Sequence, residues 1–321
     1  MSLDRLRQVS TAAGLRPAGQ PRRVTSHSND TWAFDDDRLG PVVLRVSWRG
    51  DVSRLGREVA VAREVPIRYP EVLAHGEVDG LAYSVTRYIR GQALSELEPG
   101  QLREAIRQLA QALRVLHSWR PSAELTSVLL ARRADPDRIT GLLGADLNPL
   151  PLPRVLELVE HAATLPHTDP GLLREAASAL TELAPAGRPL DDPGQAILHG
   201  DLQLGNLLWD GELVVLDLEW ARFGPPLLDL QRLCAQADAD VLAGHDTHPA
   251  VLRWLAEDYP EAFQAAPGEL RLYGLAYAVR DLLVNPPGPS NLRRLVDGTW
   301  PAPGALPPGL HDLPAPRGVV R

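Results

Sequence analysis

Ile197-Leu-His-Gly-Asp-Leu-Gln-Leu-Gly-Asn-Leu-Leu-Trp209, followed by Val214-Val-Leu-Asp-Leu-Glu-Trp220, is the stretch that decides the fold. Asp201 and Asn206 are five residues apart, and Asp217 comes eleven further on at the end of an apolar run. Leu207-Leu-Trp209 and Leu213-Val-Val-Leu216 predict a hairpin across Asp210-Gly211, a favoured turn pair. Such a hairpin returns the second carboxylate to a loop already holding a carboxylate and an amide. Carboxylate and amide oxygens are hard ligands, suited to Mg²⁺ rather than zinc. One carboxylate then stays off the metal and accepts a hydroxyl proton. This is the division of labour of phosphoryl transfer: a loop Asp as base, with a loop Asn and a strand-end Asp on the metal. Protein kinases use the same Asp-x-x-x-x-Asn spacing.

Working outward, the residues before this stretch fall into two regions. Residues 1–20 predict a short helix and a loop. Thr31-Trp-Ala-Phe34 and Val42-Val-Leu-Arg-Val46 predict strands joined through Asp35-Asp-Asp-Arg-Leu-Gly40. Ser53 to Val65 has helical spacing, with Leu55, Val59 and Ala62 on one face. Val72-Leu-Ala74 and Leu81-Ala-Tyr-Ser-Val-Thr86 predict two more strands. After Gly91 helices dominate, led by Gln101 to His117 with Leu102, Ile106, Leu109, Leu113 and Leu116 at helical spacing. Residues 120–190 read as helices broken by Pro-rich joints such as Asn148-Pro-Leu-Pro-Leu-Pro153. More helices are predicted from Leu227 to about Leu283, then an extended Pro- and Gly-rich end from Pro286.

The motifs resemble those of the aminoglycoside phosphotransferase and choline kinase-like family. His199-Gly-Asp201 with Asn206, Asp217-Leu-Glu219 and Pro226-Leu-Leu-Asp229-Leu carry the resemblance, in order and at suitable spacing. It implies an α+β, bilobal, protein kinase-like fold, with a small antiparallel β N-lobe and a large, mainly helical C-lobe. Residues 1–90 would be the nucleotide-binding lobe and 91–321 the catalytic and substrate-binding lobe. By this likeness Asp201 orients and deprotonates the acceptor hydroxyl, and Asn206 and Asp217 bind Mg²⁺. His199 would hold the catalytic loop, and Asp229 would bond to its backbone. Glu219 stands where protein kinases carry the Gly of Asp-Phe-Gly, beside a second metal, a water or solvent.

The resemblance also assigns the nucleotide side. Arg45 occupies the position of a basic residue for the α/β-phosphates, where many kinase-like proteins use Lys, and the two are not interchangeable. Glu58 is its expected ion-pair partner. Ser26, Ser28 and Asn29 lie in the loop that would cover the phosphates, which contains no glycine. The backbone of Arg87 and Ile89 would meet adenine. The cofactors implied are ATP, with GTP open, and Mg²⁺.

Composition excludes other chemistries. The chain of 321 residues contains no lysine; all 33 basic side chains are arginine. A Walker A loop, a Schiff-base enzyme and a Ser-x-x-Lys acylase are thereby ruled out. Cys234 is the single cysteine and reads as core filler, so neither a disulfide nor a Cys zinc site can form within the chain. A net charge of −8 disfavours nucleic acid as a partner. No secretory pattern or membrane span is seen at the N-terminus or elsewhere, so a cytoplasmic location is expected. The partner expected is a small hydroxylated molecule, with a cationic antibiotic compatible with the acidic balance. Glu257, Asp258 and Asp281 are candidate contacts for it. Sugars, amino alcohols and hydroxy amino acids are alternatives, as is a nucleotide-binding pseudokinase or a metal-dependent hydrolase.

Overall fold

Alternation of inward and outward side chains builds the first part of the molecule. The computed structural model describes residues 3–24, 29–47, 53–131, 152–266, 268–284, 291–308 and 310. Helix α1 (Leu3–Ala12) precedes β1 (Arg22–Val24), β2 (Asn29–Asp36) and β3 (Gly40–Ser47). Helix α2 (Ser53–Glu64), β4 (Val72–Val78) and β5 (Leu81–Arg87) follow. The five strands form one antiparallel sheet in the order β1-β2-β3-β5-β4. On β3, Val42, Leu44 and Val46 are fully buried and pack with Leu6, Val9, Trp32, Phe34 and Val85. The two-residue period of a strand therefore turns Arg45 to the other face, where it meets Glu58 of α2.

The rest of the chain is mainly helical. It comprises β6 (Gln92–Ala93), α3 (Pro99–Ser118), α4 (Ala123–Leu130), α5 (Leu152–Ala162) and α6 (Pro170–Leu183). Then come β7 (Ala196–Leu198), β8 (Leu207–Trp209), β9 (Leu213–Val215), β10 (Arg222–Gly224) and α7 (Pro226–Leu242). The last described helices are α8 (Thr247–Asp258), α9 (Glu269–Val284) and α10 (Leu292–Asp297). Strands β6, β8 and β9 form a small sheet, and β7 pairs with β10. Helix α3 begins with Pro99, whose missing N–H is harmless in a first turn. Its five predicted apolar positions are all buried in the larger core. Val61 of α2 joins that same core, so α2 leans on the helical part. The result is the α+β, kinase-like arrangement expected from the sequence.

Two details differ. The C-terminal end was expected to be extended, yet α10 spans Leu292–Asp297. Leu292 and Leu295, three apart, bury one side of this short helix, which stops at Gly298 in a left-handed conformation. Proline-rich composition outweighed a single helical turn of leucines in the sequence. Ala62 of α2 is only half-buried, and Glu58 sits in the buried stripe beside Leu55 and Val59. The covering loop at Ser26, His27 and Ser28, and most of the Asn148–Pro153 joint, lie outside the described residues.

Candidate active site

The loop between β7 and β8 is held from below by one buried carboxylate. Asp229, in the first turn of α7, accepts hydrogen bonds from the backbone N–H groups of His199 and Gly200, each at 2.8 Å. His117, at the end of α3, bonds to the same carboxylate at 3.1 Å and to the Tyr259 hydroxyl at 3.1 Å. Burial works against the charge of Asp229, but the bonds from His117 and the loop amides outweigh it and hold its pKa below the ordinary value. The His199 ring spans the loop: Nε2 lies 2.9 Å from the Leu216 carbonyl, and Nδ1 faces the Asp201 N–H at 3.3 Å. Those partners make Nε2 the protonated nitrogen. Gly200 adopts φ +82°, and a Cβ there would fall 2.1 Å from the Trp220 carbonyl oxygen.

Asp201, Asn206 and Asp217 converge. Asn206 donates through Nδ2 to the backbone oxygen of Asp201 at 2.9 Å and to its carboxylate at 3.1 Å. The hairpin returns as its turn pair requires, pairing Leu207 with Val215. The Leu216 N–H then bonds to the Asn206 carbonyl at 2.9 Å, which sets Asp217 beside Asn206. Asp217 takes the left-handed conformation, φ 61° and ψ 59°, a region that Asp tolerates better than most residues. Burial raises the pKa of Asp201, the Asp217 carboxylate raises it further, and Arg232, His199 and Asn206 oppose.

Arg45 joins this cluster from the sheet. Its guanidinium bonds to both carboxylate oxygens of Glu58, to Asp217 at 2.9 Å and to Glu219 at 3.1 Å. Tyr69 donates its hydroxyl to Glu58. Burial pushes the Glu58 carboxyl upward, Arg45 opposes, and the charges of Asp217 and Glu219 add to the rise. Glu219 is 1% exposed, so the solvated position considered for it is wrong. It accepts from Asn29 Nδ2 at 2.8 Å, and Arg54 approaches its second oxygen at 3.6 Å. Three N-terminal side chains thus converge on one carboxylate of the helical part.

These oxygens fit a hard divalent cation. Ligand atoms of Glu58, Asp217 and Glu219 all lie within 4.8 Å of one another. Glu219 Oε1 is buried and accepts no hydrogen bond from the described residues. Asn206 uses its amide nitrogen as donor, which leaves the amide oxygen as a further oxygen ligand.

Other predicted positions fare differently. The Arg87 N–H donates to the Glu71 carbonyl at 2.9 Å, and its side chain binds Leu39 and Glu71. That N–H is occupied; Ile89 follows the end of β5. Glu257 and Asp258 are held by Arg103 of α3, so they clamp two helices instead of facing an acceptor. Asp281 pairs with Arg280 at 3.4 Å. Sequence reasoning passed over His117, Tyr69, Arg54 and Arg232. Only His117 left a trace, a polar residue at the end of an otherwise apolar stripe. A depression of about 470 Å³ lined by Tyr88, Arg90, Gly91 and Trp209 adjoins the connection after β5, and none of the converging residues lines it.

Residues 21–275 match the model of a family described as the phosphotransferase enzyme family. The chain belongs to that family. No curated protein matches this phosphotransferase by sequence. Among solved structures, it resembles aminoglycoside phosphotransferase APH(4)-Ia at 18% identity, covering 93% of this chain and 96% of the other, with TM-score 0.59. It resembles spectinomycin phosphotransferase APH(9)-Ia, solved with ADP and spectinomycin, at 12% identity, 95% and 96% coverage and TM-score 0.62. It also resembles APH(3'')-Id from Streptomyces rimosus at 20% identity, 86% and 96% coverage and TM-score 0.51. At these identities the likeness establishes the fold, that of the aminoglycoside phosphotransferases. No helix among the described residues of this phosphotransferase is long and apolar enough to cross a membrane.

Proposed function

We propose that this phosphotransferase moves the γ-phosphoryl group of ATP to a hydroxyl of a small molecule. The nucleotide lies between the lobe of residues 1–90 and the lobe of residues 91–321. The observation that carries the reading is the convergence of Asp201, Asn206 and Asp217, with Arg45 bonded to Asp217. Asp201 orients the acceptor hydroxyl and takes its proton. Asn206 and Asp217 hold Mg²⁺, with Glu219 close enough to complete the oxygen set. When bound, the metal neutralises charge on the transferring phosphates. Arg45, fixed by Glu58, brings its positive charge to the α/β-phosphates. His199 and Asp229 keep the loop in shape. Asn29, expected in the loop over the phosphates, instead starts β2 and bonds to Glu219, and the connection around Ile89 meets the base. ADP- and AMP-PNP-bound relatives support a nucleotide cofactor. Relatives solved with hygromycin B and spectinomycin make antibiotics the first acceptors to screen, in a cytoplasmic enzyme.

The test is magnesium-dependent ADP release with a panel of acceptors, run on wild type and Asp201→Asn. The variant should lose about 10²–10⁴-fold in turnover, the usual contribution of a general base, and keep its nucleotide affinity. A fully active variant rejects Asp201 as base. Nucleotide binding without turnover in the wild type would make the chain a pseudokinase.

A further inference from the structure

Asp201 shows its two carboxylate oxygens to different neighbours. Oδ2 faces Asn206 at 3.1 Å and Gln203 at 3.5 Å, on the side where the metal ligands gather. Oδ1 is engaged by the guanidinium of Arg232. Arg232 stands on α7, three residues after the Asp229 that carries the loop. The helix that supports the loop therefore also delivers a cation to it. The Arg232 side chain is 45% exposed against 18% for Asp201, so it reaches the carboxylate from the open side.

A second arginine stands nearby. Arg280 on α9 pairs with its neighbour Asp281, and both Arg280 and Arg232 lie close enough to Asp281 to stabilise its charge. Arg280 and Asp201 both lie near the half-buried Tyr277. Of the three acidic side chains that the sequence offered for a cationic acceptor, two are bound to Arg103 and the third to Arg280.

A guanidinium on a carboxylate oxygen lowers its basicity and covers one approach to it, so Arg232 turning aside makes Asp201 the better base. A polycationic acceptor offers Arg232 no partner for which to leave Asp201. An anionic group gives Arg232 a competing partner, and the planar guanidinium fork matches carboxylate and phosphate oxygens. We infer that the acceptor carries a carboxylate or phosphate close to its reacting hydroxyl, and that Arg232 binds this group and in doing so uncovers Asp201. This rests on the phosphotransferase reading given above. In the step itself the acceptor oxygen bonds to the γ-phosphorus, its proton passes to Asp201 Oδ1, and the bond to the β-bridging oxygen breaks to release ADP.

The experiment measures ADP release and phosphorylated product with MgATP across four acceptor sets: hydroxy carboxylic acids, hydroxylated phosphate esters, neutral polyols and sugars, and polycationic aminoglycosides. Transfer should favour one of the two anionic sets, and which one distinguishes carboxylate from phosphate. Arg232→Gln should lower kcat/KM for that acceptor about 100-fold while KM for ATP holds, since it removes a charged partner. Arg232→Lys should recover part of the loss. The same Arg232→Gln change should raise background ATP hydrolysis several-fold, because the base is uncovered for water. Transfer confined to aminoglycosides, or unchanged kcat/KM in Arg232→Gln, overturns the inference. If no acceptor in the panel reacts, the background hydrolysis decides, and an unchanged rate in Arg232→Gln overturns it. Calorimetry of wild type with MgADP is read separately: absence of binding removes the phosphotransferase reading itself, whereas binding with the wrong acceptor charge removes only this inference.

Discussion

Arg45 meets Glu58, Asp217 and Glu219 at once, with its side chain 14% exposed. Burial disfavours its charge, but those carboxylates outweigh burial and keep it protonated. Arg45→Ala would leave Glu58, Asp217 and Glu219 facing one another without the guanidinium between them. We expect a stability loss of roughly 3–5 kcal/mol, typical when one member of a buried pair is removed, measured by urea unfolding. KM for ATP should rise as well; an unchanged KM places Arg45 outside the phosphate site. Asp229 is the other decisive residue. Its folded pKa lies below the ordinary 3.8, so the stability it contributes is fully present above that value. That stability is lost as pH falls through the lower folded value. The stability gap between wild type and Asp229→Asn should therefore be constant near neutrality and close only below about pH 3.8. A gap that closes at higher pH contradicts the depressed pKa.

At the scale of elements, the loop from His199 to Asn206 and the β8–β9 hairpin act as one unit. Gly200 makes the unit compact, because its left-handed backbone lets the Trp220 carbonyl approach where a side chain would sit. Gly200→Ala should destabilise the protein by at least roughly 1–3 kcal/mol, the scale of a strained backbone, and displace Asp201. Gly205, in the same loop, has open space around its Cβ position and ordinary φ. Gly205→Ala should be nearly silent in thermal unfolding, and equal losses at both positions would refute the close-approach argument.

For the whole molecule, the N-terminal part meets the helical part through the apolar face of α2 and through polar bonds. Asn29, Arg45 and Arg57 reach Glu219, while Arg68 bonds to Asp210 at the hairpin turn and accepts the Val215 N–H at 3.0 Å. Of the two apolar cores, the smaller belongs to the sheet and α1, and the larger reaches from the helical part to Val61 of α2. A ligand bridging the boundary should stabilise both. MgATP at a hundredfold over its Kd should add about 2.7 kcal/mol, seen as a rise in Tm. Asp217→Ala should abolish the magnesium-dependent part of that rise. A full magnesium effect in the variant removes Asp217 as a ligand.

The sequence alone determined the antiparallel sheet, the long α3 stripe and the β8–β9 hairpin, because two-residue and helical periodicities and turn pairs are local signals. It also singled out Asp201, Asn206 and Asp217, whose spacing reflects one loop and one hairpin. Only the tertiary structure decided the partners. Arg45 and Asp217 are 172 positions apart, and His117 and Asp229 are 112 apart. No local pattern encodes such pairs. The same holds for Glu257 and Asp258, which read as free carboxylates until Arg103 was seen beside them, and for Arg232, an ordinary helix residue until folding set it on Asp201. Charge pairing depends on distance in space, and that distance is fixed only when the cores on both sides of the cleft are packed.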